Sequence, residues 1–193
     1  MGGGVQVFAD FDEITLGVDV PMAITRRAIV ASDAVTRLAL VLYTGAASIP
    51  GMFANDDLAK RPSLTGPFVM TGMSNIGYTG EPGEVDPITE EGPGPFMASA
   101  WYRFTATTTA NHDILTSYPA TDFDTTLGIY ADPSGNGTMA TIMAALIDSD
   151  DDSGSGATSY IANVPLTAGA IYAIRVDGFA GVQGNYDLGV QLS

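Results

Sequence analysis

Four carboxylates crowd into residues 148–152: Asp148, Asp150, Asp151 and Asp152. Oxygen donors packed this closely in a loop rich in serine and glycine suit a hard cation. Calcium takes six to eight oxygens at about 2.3–2.6 Å and tolerates irregular geometry. Further carboxylates that could join the set are Asp122 and Asp124, with Glu81 or Glu84 arriving from Gly80-Glu81-Pro82-Gly83-Glu84. The spacing is not that of an EF-hand, since no glycine at the sixth position is followed by a glutamate at the twelfth. Two plainer readings stand beside calcium. The run could be a solvated acidic turn, its mutual repulsion screened by water and salt. Asp124, ahead of Thr125-Thr126, could close an Asx turn on the backbone two residues on.

Other residue types with chemical potential are sparse. His112 is the sole histidine and there is no cysteine. Thiolate metal sites and disulfides are thereby excluded, and a zinc site lacks its ordinary donors. His112 beside Asp113 and near Ser117 does not make a nucleophilic triad. No Gly-x-Ser-x-Gly elbow is present, and a lone loop histidine is expected to be merely solvated. No phosphate-binding glycine loop occurs. Trp101 is the single tryptophan. By strand alternation it shares a face with Arg103, opposite Tyr102 and Phe104. An exposed Trp101–Arg103 pair could stack on a sugar or anchor a partner; equally, a covering loop would make Trp101 part of the outer packing. Arg103 and Arg175, the only cations of residues 71–193, are expected to pair with carboxylates.

These residues must be positioned by strands. The chain has 193 residues, 23 of them glycine and 11 proline, as short strands joined by tight turns require. Its formal net charge is −15, with 22 acidic against 7 basic side chains. Such a chain repels phosphate backbones, so nucleic-acid binding is not expected, whereas divalent cations and basic surfaces are attracted. Nearly all the excess lies after residue 70, which places a boundary there. No stretch approaches the roughly 20 apolar residues that span a bilayer, so no membrane insertion is expected, and no secretory leader is visible at the N-terminus.

Before the boundary, Val5–Phe8, Ile14–Val20, Ala23–Ala31 and Leu38–Tyr43 read as strands, the last apolar on both faces. Residues 44–67 read as a long loop or linker. After it, strands are expected at Ser99–Ala106, Asp113–Ser117, Thr126–Ala131, Ser159–Val164, Ala170–Asp177 and Asn185–Leu192. Ala100, Tyr102, Phe104 and Ala106 should face the core, as should Tyr172, Ile174 and Val176, and Tyr186, Leu188, Val190 and Leu192. Met139, Ile142, Met143 and Leu146 fall at helical spacing. The surrounding rhythm favours a strand near Ala144–Ile147 with one helical turn before it.

Five motifs in order, Gly80–Glu84, Trp101–Ala106, Asp122–Tyr130, Asp148–Asp152 and Tyr172–Gly178, make residues from about 73 to 192 resemble the bacterial pre-peptidase C-terminal domain. The resemblance implies a jelly-roll-like β-sandwich used as an accessory module. Relatives of that family bind calcium, and some bind collagen, chitin or other polymers. The expected architecture is thus all-β: a small N-terminal β module over residues 1–70, then a jelly-roll-like sandwich over residues 71–193. The expected role is non-enzymatic. One reading is an exterior, multi-copy or homo-oligomeric component of a larger assembly such as a phage virion (tail, fibre or head decoration), docked to other structural proteins through residues 1–70. The other is a secreted accessory module that binds a polysaccharide, a protein fibre or a surface receptor through Trp101 and Arg103. Both place the protein on a virion or outside the cell, with Ca2+ as the candidate stabilising ion.

Overall fold

Alternation of apolar and polar residues over short segments, punctuated by glycine and proline, yields a two-sheet β-sandwich in the computed structural model, which describes residues 55–88 and 97–193. The strands are β1 (Ser63–Thr65), β2 (Phe68–Ser74), β3 (Ala100–Thr105), β4 (Ala110–Leu115), β5 (Thr125–Ala131), β6 (Leu146–Asp150), β7 (Tyr160–Leu166), β8 (Ile171–Gly178) and β9 (Asn185–Leu192). Among the described residues a short α-helix, α1 (Met139–Met143), precedes β6, and 3-10 turns cover Leu58–Lys60 and Phe179–Gly181. One sheet runs β1-β3-β8-β5-β6 and the other β2-β9-β4-β7. Four antiparallel pairs are nested: β5 with β6, β4 with β7, β3 with β8 and β2 with β9. That nesting, distributed over two sheets, is the winding of a jelly roll. The short β1 extends the first sheet by pairing parallel to β3, Leu64 opposite Phe104.

Between the sheets the expected alternation holds. Ala100, Tyr102, Phe104, Tyr172, Ile174, Val176, Tyr186, Leu188 and Val190 are buried. Tyr102 of one sheet and Tyr186 of the other join hydroxyls at 2.6 Å across the core. Each large side chain removed from water here contributes roughly 1.5–3 kcal/mol before ordering entropy is subtracted. Leu192 departs from the pattern and is half exposed, because the sheet ends around it. His112, expected in a solvated loop, instead lies in β4 and is fully buried. The alternation of Ala110, His112 and Ile114 turns it toward Phe104, with ring centroids 6.4 Å apart.

The first sheet is covered on its outer face too. Trp101, Tyr130 and Ala173 point outward from β3, β5 and β8, and Leu58 and Ile142 cap them, with Met139 and Met143 packed alongside. The helical spacing of Met139, Ile142 and Met143 thus marks a real helix, and Leu146 begins the strand beyond it. Thr138 caps α1, its hydroxyl accepting from the Thr141 amide.

Residues upstream of the expected boundary belong to this sandwich. Ser63–Thr65, expected within a loop, forms a strand, and Trp101 N donates to Asn55 O at 2.7 Å. Arg61 is buried and pairs with buried Asp132 at 2.5 Å. Ser134 Oγ and the Gly137 amide complete the other Asp132 oxygen. The sandwich therefore begins by Asn55, not at residue 71. The strands expected between Val5 and Tyr43 lie outside the described residues, as does residues 1–54 of the expected docking module.

Removing one partner of a buried ion pair leaves the other charge desolvated, at a cost of about 3–5 kcal/mol. Arg61→Ala should lower unfolding free energy by that amount in urea denaturation. A loss under about 1 kcal/mol, the range of a surface pair, would contradict the buried lock.

Candidate metal centre

The acidic rim is built by two segments that backbone and hydroxyl contacts clamp together. Thr125, Thr116 and Ser159 form a buried hydroxyl cluster: Thr116 Oγ1 and Thr125 Oγ1 are 2.7 Å apart, and Ser159 Oγ donates to Thr125 O at 2.6 Å. Thr125 N also donates to Ala157 O at 3.2 Å. These contacts fix the start of β5 against the loop that joins β6 to β7. At the end of β6, Asp150 Oδ2 accepts from the amides of Ser153 (3.0 Å) and Tyr160 (2.7 Å) and so ties that loop at both ends. Gly154 lets the loop fold tightly, because a Cβ there would lie 2.4 Å from Thr158 O.

This arrangement brings Asp124, Asp151 and Asp152 together, with one carboxylate oxygen of each within 4.8 Å of the others. Asp124 and Asp151 are half-buried and Asp152 is exposed. Asp124 Oδ1 and Asp151 Oδ1 are enclosed yet have no hydrogen-bond partner. Burial raises the Asp124 carboxyl above its ordinary range, with Asp152 adding to it. Burial likewise pushes Asp151 up to about 6, helped by the charges of Asp152, Asp124, Asp150 and Asp86. The Asx turn considered for Asp124 is not what this oxygen makes; its main-chain carbonyl instead accepts from Phe179 N at 3.0 Å.

The other sequence-nominated carboxylates are elsewhere or already occupied. Asp122 is exposed and holds Asn185 through both its amide and its side chain, at 2.8 and 2.9 Å. Asp148 lies in β6 and accepts from the Ser149 amide. Asp150 is spent on the loop, as described. Glu81 accepts from the Leu58 amide. Glu84 is fully buried on the outer face of the first sheet, receiving Ser99 Oγ at 2.7–2.8 Å and Trp101 Nε1 at 3.1 Å.

That placement also decides the Trp101–Arg103 pair. Trp101 is fully buried, its ring 5.7 Å from that of Tyr130, so it offers no stacking surface. Arg103 is half-buried and donates to Ser63 Oγ (3.3 Å) and Asn136 Oδ1 (3.0 Å). Arg175, by contrast, is ringed by carboxylates as expected: Asp177, Asp86 at 3.3 Å and Glu84 at 3.8 Å. Asp86 and Asp177 were not among the nominated residues. The signal for them was the scarcity of cations: an arginine that must be buried in a strand needs anions nearby.

No family model matches the chain. No curated protein matches it either. Among solved structures, it is similar to the Aeromonas hydrophila periplasmic lysozyme inhibitor PliG, an inhibitor of g-type lysozyme, at 16% identity. That match has a TM-score of 0.30 and covers 50% of this chain and 82% of the other. A likeness at this level assigns neither activity nor partner.

The donor set itself fits a hard cation. Three carboxylates can supply up to six oxygens, two of which are enclosed and unpartnered, and water can complete the shell. A cation there would offset both the burial and the mutual repulsion that raise the Asp151 carboxyl. Asp151→Asn should therefore raise the melting midpoint in chelator. Wild type should gain on adding calcium: at 100 times the dissociation constant a site contributes about 2.7 kcal/mol, on the order of 5–10 °C for a chain of this size. The variant should show little of that gain. Equal responses of both proteins to calcium would count against these ligands.

Proposed function

We propose that the chain is a non-enzymatic structural and binding protein, an exterior component of a larger assembly such as a phage virion, whose sandwich is stabilised by calcium at Asp124, Asp151 and Asp152. One observation carries the reading. The buried cations of the described residues are consumed in holding the sandwich together: Arg61 pairs with Asp132, and Arg175 lies among Glu84, Asp86 and Asp177. His112, the only imidazole, is packed beneath Phe104 inside the core. What faces solvent at the rim is acidic and suited to a cation, not to proton transfer with a nucleophile.

A sandwich with its edges tied in by buried ion pairs makes a rigid unit to display on a surface. Its acidic character keeps copies from sticking to one another, while basic partner surfaces are attracted. In this reading the residues before Asn55 provide attachment, and the sandwich from Asn55 onward projects outward. The alternative of a carbohydrate-binding module loses its proposed contact, because Trp101 is enclosed.

The test is fractionation of the source culture followed by labelling of intact particles with an antibody to the sandwich. The chain should co-sediment with particles and be labelled on their outer surface. Deletion of residues 1–54 should leave a folded sandwich that no longer co-sediments. Recovery of the intact chain solely as free protein would overturn the assignment.

A further inference from the structure

The outer face of the first sheet holds a charge imbalance that the proposed function does not use. Arg175, on β8, is fully buried. Around it are Asp177 from the same strand and Glu84 and Asp86 from the segment Glu81–Ile88, all buried. Among the described residues, one guanidinium thus faces three buried carboxylates. Concentrating carboxylate charge out of water in this way is costlier than placing a proton on the carboxylate with the weakest support.

The contacts show which carboxylate is least supported. Asp177 accepts the amides of Ala98 (2.8 Å) and Gly178 (2.7 Å) in addition to Arg175. Asp86 accepts the Ile88 amide at 2.7 Å, Thr126 Oγ1 at 3.2 Å and Arg175 Nη1 at 3.3 Å. Glu84 has only Ser99 Oγ, a single hydroxyl between its two oxygens, and the Trp101 indole. Arg175 Nε lies 3.8 Å from it, beyond hydrogen-bond reach, and has no partner. From β5, Tyr130 brings a buried hydroxyl that is also unpartnered. From α1, Met143 Sδ meets the Val85 amide at 3.4 Å and carries no charge.

We propose that Glu81–Ile88 is a pH-sensitive latch, sealed over Trp101 and the outer face of the sheet while the cluster around Arg175 holds one proton at Glu84, and loosened when that proton leaves. Burial pushes the Glu84 carboxyl up to about 7, against the pull of Arg175. With the latch open, Glu84 returns to water and to its ordinary value of 4.5. The sign follows: the closed form binds the proton more tightly, so its advantage is complete below the open-form value and is lost as pH rises to the closed-form value. Each pH unit between them weakens closure by about tenfold, and above about pH 7 the effect levels off.

The test uses the full chain. Amide exchange, corrected for intrinsic rates, is followed at Glu84 and Ile88 from about pH 5 to 8, beside carboxyl-carbon titration of Glu84. Protection at those amides should fall by up to about tenfold per unit toward pH 7 and then hold level, while amides between β3 and β8 stay protected. The Glu84 carbon should titrate well above the ordinary carboxylate range. In Glu84→Gln the same protection should no longer depend on pH. Protection that is flat in wild type, a pH slope that survives in Glu84→Gln, or a Glu84 carbon titrating near its ordinary value would each overturn the latch. Should the variant fail to fold, the wild-type carbon titration decides.

Discussion

Arg175 is the group on which the outer layer of the sandwich depends. A strand in the middle of a sheet covered on both faces would ordinarily carry apolar residues on each. Here β8 carries Ala173, Arg175 and Asp177 on its outer side. A guanidinium taken out of water must find anions, and those available come partly from its own strand and partly from Glu81–Ile88. The same requirement that satisfies the arginine therefore folds that segment back over the sheet. Once there, it closes over Trp101, whose indole N–H finds Glu84. Leu58 and Ile142 complete the cover from either side. The outer layer is held by charge where the inner one is held by the burial of alternating aromatic and aliphatic side chains.

The two charge sites on this sandwich obey one rule with different outcomes. Around Arg175 the carboxylates are enclosed and have a cation of the protein's own, together with hydroxyl and amide donors. At Asp124, Asp151 and Asp152 the carboxylates are nearer solvent, have no cationic partner among the described residues, and leave two oxygens unmatched. The first arrangement is suited to structure and the second to an ion from outside. The separation explains why the acidic residues of the chain do not act as one pool.

The strands that pair over long, regular ladders were legible in the sequence. Asn185–Leu192 matches β9 in both bounds, β3 and β8 differ from expectation by one residue at each end, and β5 by one residue at its start. β1 and β2 were not. Pro62 and Pro67 flank β1 and read as turns, although only the parallel partner β3 makes its three residues a strand. β2 is broken by a register shift between Met70 and Met73, with Gly72 at φ 71°, so it lacks clean alternation. The carboxylate types at the rim were visible, but their grouping was not. Which three of eight converge is set by how the β6–β7 loop is clamped to the start of β5, a tertiary fact. The burial of Trp101 beneath Glu84 likewise joins residues whose contact depends on where an irregular segment lies.

Trp101 is the only tryptophan in the chain and lies directly under the segment that Arg175 holds. Its fluorescence, read with an aqueous quencher, is the most direct measure of whether Arg175 seals the outer face. In Arg175→Met, with the β-sheet circular dichroism retained, the account requires red-shifted emission and quencher access that wild type lacks. A variant whose Trp101 is as blue-shifted and as shielded as in wild type would show that the outer layer does not depend on the charge cluster.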